Sequence, residues 1–77
     1  MSDHISHGSP AAYREFIHEM AGLAAVQASL AMQYAEIGDD AGLEYAMRRW
    51  VAYTRAAVGT LKDLKTNKQG GADERAA

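Results

Sequence analysis

The sequence predicts an all-α protein, an antiparallel two-helix hairpin that completes its core by pairing with a second copy of itself in a four-helix bundle. Three observations predict it. Two long stretches rich in Ala, Leu, Met, Gln, Glu and Arg are free of proline, and these side chains lose little rotamer freedom in a helix. Within both stretches the large apolar residues recur at alternating spacings of three and four. No run alternates β-branched or aromatic residues with polar ones, as a half-buried strand requires.

The first helix is expected over about 10–37. Ser9 is suited to the N-cap, where its hydroxyl accepts from a free backbone N–H, and Pro10 to the first helical position, where the missing donor costs nothing. Tyr13, Phe16, Met20, Leu23, Gln27, Leu30, Tyr34 and Ile37 form an unbroken heptad seam, widened on one flank by Ile17, Ala24 and Ala31. Gly38 supplies the residue that closes many helices in the left-handed conformation. The turn is placed at 38–40.

The second helix is expected over about 40–65, with Asp39 or Asp40 as N-cap and Glu44 adding negative charge near the positive end of the helix dipole. Its seam reads Leu43, Met47, Trp50, Thr54, Ala57, Leu61 and Leu64, broadened by Val51 and Val58. Residues 1–8 lack periodicity and 66–77 contain Gly70-Gly71 and no large apolar side chain, so both are expected to be disordered tails around a folded unit of 9–65.

A chain of 77 residues without cysteine buries barely enough apolar surface to offset its conformational entropy, and disulfides are closed to it as a remedy. A partner chain is the natural supplement. On the side of the first helix opposite its seam lie Ala21, Ala25, Ala28, Met32 and Ala35, and a helix that is apolar all round is normally buried all round. Ala21, Ala25, Ala28 and Met32 are therefore expected at a symmetric dimer interface. Gln27, polar in mid-seam, joins them as a residue that fixes register by demanding a hydrogen-bond partner.

Charge is segregated. From Met1 to Glu44 seven acids stand against Arg14, a net −6, while Tyr45 to Ala77 carry a net +4. Opposite signs on neighbouring helices favour antiparallel docking, although exposed pairs are individually worth about 0–1 kcal/mol. A pI near 5.8 lacks the positive field of most nucleic-acid binders.

Catalysis is not expected. No nucleophile has a recognisable base on its own helix, no glycine-rich phosphate loop lies between strand and helix, and no cofactor motif is present. His4 and His7 form an H-x-x-H in the leading tail, but an unanchored pair seldom makes a selective metal site, so no metal is expected. The longest uncharged run, Met20 to Ala35, is short for a membrane span and carries Gln27, Ser29 and Gln33. With no secretory signal and no cysteine, a cytoplasmic location is expected.

The residues expected to meet a partner lie on the second helix. Arg48, Arg55 and Lys62 recur every seven residues along its outer side. Tyr45, Arg49 and Tyr53 are spaced by four, and aromatic and arginine side chains are the types enriched at binding hot spots. The expected partner set is thus Tyr45, Arg48, Arg49, Tyr53 and Arg55. A basic row beside tyrosines offers two further possibilities, a grip on nucleic acid and capture of a small anion between protomers.

The Ile37-Gly38-Asp39-Asp40-Ala41 turn and the two heptad seams resemble the plasmid-encoded Rop hairpins, in which an acidic turn joins two helices that dimerise. The resemblance is one of shape. It implies a four-helix bundle and, as one alternative, nucleic-acid binding through the second helix. Compact alanine-rich chains of this kind are common products of phages and plasmids that modulate host proteins. The leading functional expectation is a small non-enzymatic regulator or inhibitor acting on a protein partner.

Overall fold

The computed structural model describes residues 9–76, with side chains described as far as Thr66. Two helices, α1 (Pro10–Ile37) and α2 (Asp40–Ala76), pack against one another, and among the described residues there is no strand. Residues 1–8, with His4 and His7, lie outside the described residues. The backbone of α2 continues past Lys65, where the sequence reading ended it. No proline interrupts that stretch, and Gly70-Gly71 tax a helix without forbidding it.

Each helix end is built from local chemistry. Ser9 sits in extended backbone (φ −88°, ψ 143°) and its Oγ accepts from the Ala12 N–H at 3.0 Å. At the turn, Gly38 takes φ 75°, ψ 22°, donates to the Ala35 carbonyl at 3.3 Å, and lets the Asp39 N–H reach the Tyr34 carbonyl at 2.9 Å. This pair of reversed bonds satisfies the carbonyls that a helix end otherwise leaves open. Asp39 is the N-cap of α2, its Oδ1 accepting from the Gly42 N–H at 3.0 Å. Asp39→Ala is expected to cost about 1 kcal/mol, read as a melting point lower by roughly 4–8 °C, with Asp40→Ala as a milder control.

The helices approach most closely through small residues, with part of each large seam half-buried beside them. Among the described residues the buried ones are Ala24, Ala31 and Ala46. Tyr34 lies over Gly42, whose missing side chain makes room for the ring: a methyl there would stand 2.6 Å from Cδ1 and Cε1. The two seams are thus covered only in part: Tyr13, Met20, Gln27, Leu30 and Tyr34 of the first and Leu43, Trp50, Thr54, Ala57 and Leu64 of the second are half-buried. Ile17, Ala24 and Ala31, read as a widening of the first seam, lie at or beside the contact, whereas Phe16, Leu23 and Ile37 of that seam and Met47 and Leu61 of the other are exposed. The reason is distance. Alanine and glycine allow two backbones to approach closely, and the close approach turns the longer side chains out to the flanks.

Inter-helix charge attraction plays no visible part. Among the described residues the ion pair found is Arg48 with Glu44, 2.6 Å apart on the exposed face of α2, and it joins a helix to itself.

Candidate interaction surfaces

Since a helix turns about 100° per residue, side chains that avoid the inter-helix contact fall onto two flanks and an outer face. The hairpin is one helix thick, so both flanks are surfaces. Ala28, Ala31, Met32 and Ala35 of α1 line an open groove with Met47 and Trp50 of α2, which places those two rows on the same flank. Heptad spacing adds Ala21 and Ala25 to the α1 row and Leu43, Thr54, Val58 and Leu61 to the α2 row. This flank has no charge along its middle. Met32 is 72% exposed, Val58 52% and Met47 42%.

The opposite flank carries the large residues of α1. Phe16 lines a second open groove with Arg55, Ala56, Gly59 and Thr60 of α2, and Leu23, Leu30 and Ile37 follow Phe16 at intervals of seven. The α2 side of this flank holds Tyr45, Arg49 and Tyr53. The Arg49 guanidinium stands 5.5 Å from the Tyr45 ring centre and 5.3 Å from that of Tyr53, and Nη2 donates to the Tyr53 hydroxyl at 2.5 Å. Two cation–π contacts and one hydrogen bond hold the arginine in a fixed pose. Arg49 and Tyr53 are half-buried and Tyr45 is 62% exposed.

Of the expected partner set, then, Tyr45, Arg49 and Tyr53 form one cluster. Arg48 and Arg55 are exposed, Arg48 held by Glu44 through Nε and Nη2 and Arg55 at the rim of the Phe16 groove. Of the expected dimer set, Ala21, Ala25 and Met32 are exposed and Ala28 half-buried on the uncharged flank. Gln27 is apart from them. It is half-buried, and its Oε1 is buried without a hydrogen-bond partner. One heptad along each helix from the Tyr34–Gly42 contact, Gln27 comes level with Arg49.

A buried acceptor left unpaired costs about 1–3 kcal/mol. Gln27→Met, close in volume and without the acceptor, is expected to raise the melting temperature of the protein. A fall instead would mean that Oε1 gains a partner in the assembled state and that Gln27 fixes its register.

What the sequence did not single out is the row of Leu23, Leu30 and Ile37 as surface. Its signal was available in Gly42, Ala46 and Ala24, since small residues at heptad spacing on both helices mark the closest approach. Among the described residues no group of three or more His, Cys, Asp or Glu could hold a metal ion, and no helix is long and apolar enough to cross a membrane. Fold and surfaces together define an all-α helical hairpin with two apolar flanks. No family model, no curated protein and no solved structure matches the chain.

Proposed function

We propose that the chain is a small non-enzymatic interaction protein, a regulator or inhibitor that pairs with itself and presents its remaining surface to a protein partner. The observation that carries this reading is the imbalance between interior and surface. Among the described residues the buried apolar ones are three alanines, while nine large hydrophobic side chains are exposed. The Tyr45–Arg49–Tyr53 cluster supports the second half of the reading, because rigid aromatic and arginine anchors lose little entropy on binding.

Light scattering at micromolar concentration is expected to give twice the chain mass, and the melting temperature is expected to fall on dilution, as mass action requires of a dimer. A monomer that melts cooperatively at a concentration-independent temperature overturns the reading.

A grip on nucleic acid through α2 remains the second reading, carried by the exposed Arg55 and Lys62 beside the Phe16 groove. Arg48, the third of that row, is engaged by Glu44. Such binding would weaken steeply with salt through counterion release. No shift of DNA or RNA is expected even at low salt. A small anion held by Arg49 is a third reading, to be tested by titration calorimetry with inorganic phosphate; Arg49 already donates to Tyr53.

A further inference from the structure

We infer that the two hairpins of the dimer lie antiparallel, each turn against the open end of the other, through the uncharged flank of Ala21, Ala25, Ala28 and Met32, so that α1 crosses α1 of its copy at Ala25. The inference rests on the dimer proposed above and adds which flank pairs and in which direction.

The choice of flank follows from composition. The cores of permanent interfaces are depleted of charge, and the alanine flank carries none between its two ends. The opposite flank holds Arg49 and the buried, unpartnered Oε1 of Gln27. Alanines at 21, 25 and 28 also permit the close backbone approach that two α1 helices need.

The direction follows from what bounds the flank. Continuing the α1 row reaches Arg14, seven residues before Ala21, at the open end and Glu36, one turn beyond Met32, at the turn end. The α2 row runs from Asp40 at the turn to Lys65 at the open end. All four side chains are exposed. The flank is thus acidic at one end and basic at the other. A two-fold axis that swaps the ends brings Glu36 of one copy to Arg14 of the other, and Asp40 to Lys65. Pairing turn to turn would instead set carboxylates against carboxylates. Complementary charges of this kind set orientation more than affinity.

The two charge pairs agree on one axis to within two residues. Glu36 and Arg14 are equidistant from Ala25, and Asp40 and Lys65 are equidistant from a point between Ala52 and Tyr53. Counting back from the Tyr34–Gly42 contact puts Ala25 level with Val51, and from buried Ala31 and Ala46 level with Ala52, within two residues of that point. One axis therefore satisfies both charge pairs. It also sets Met47 of α2 against Val58 of its copy and brings Leu43 within one residue of Leu61, residues now exposed or half-buried.

The chain has no cysteine, so single-cysteine variants of the full protein read the arrangement directly. Under mild oxidation Ala25→Cys is expected to form a disulfide-linked dimer, and Met32→Cys, two turns from the axis, is not. Glu36→Lys alone is expected to weaken the dimer about tenfold, Arg14→Glu likewise, and the two together to restore it. Wild-type protein that scatters as a monomer sinks the dimer itself. A wild-type dimer in which Ala25→Cys does not cross-link, or in which the charge swap fails to rescue, retains the dimer and overturns this geometry. Dissociation by Leu23→Glu with Ala25→Glu still dimeric places the interface on the other flank.

Discussion

Gly42→Ala is expected to lower the melting temperature, although alanine is the better helix former by about 1 kcal/mol. The added methyl would stand 2.6 Å from two carbons of the Tyr34 ring and 2.9 Å from Cγ, close to the root of that side chain, where rotation about χ2 gives little relief. Either the ring leaves its seat or the helices move apart at the turn. Overpacking of this kind costs about 1–3 kcal/mol, or roughly 4–8 °C per kcal/mol for a chain of this length. Gly59 provides the control, because nothing lies within 4 Å of the position its methyl would take. Gly59→Ala should therefore stabilise by up to about 1 kcal/mol. Melts of both variants at one protein concentration decide the matter. If Gly42→Ala is as stabilising as Gly59→Ala, Tyr34 does not seat on Gly42 in solution, and the register on which the dimer geometry rests loses its anchor.

Tyr45→Ala combined with Arg49→Gln is expected to leave the hairpin folded while weakening partner capture by about 2 kcal/mol or more, some thirtyfold. Tyr45 is mostly exposed, and such positions usually change stability by no more than about 0.5 kcal/mol. Tyr53 is left intact because it is half-buried and its truncation would confound folding with binding. Arg49→Gln keeps much of the stem that covers the tyrosines and removes the charge. The comparison is a thermal melt against quantitative capture from a native extract treated with nuclease. A variant that folds and captures its partner as wild type moves the recognition surface to the Phe16–Leu23–Leu30–Ile37 row. A variant that unfolds shows Arg49 to be a structural clamp, a role its two ring contacts would equally serve.

Much of the hairpin was legible along the chain because its determinants are local. Ser9, Gly38 and Asp39 act on backbone groups within a few residues, so their identity and spacing suffice to place both ends of α1 and the start of α2. The Tyr45–Arg49–Tyr53 cluster was legible for the same reason, since residues four apart on a helix must be neighbours. The α2 endpoint was less so. Glycine lowers the propensity of a helix without setting its limit, and the backbone of α2 runs on to Ala76.

Local pattern determined that this chain makes two amphipathic helices joined by a tight acidic turn. It did not determine which stripe of each helix meets the other, because Leu23, Met47 and Ala24 all satisfy a heptad and periodicity alone does not rank them. Tertiary structure decided that. Packing is close where side chains are smallest, so Ala24, Ala31, Ala46 and Gly42 took the closest contact, and Phe16, Leu23 and Ile37 of one seam and Met47 and Leu61 of the other were left exposed on opposite flanks.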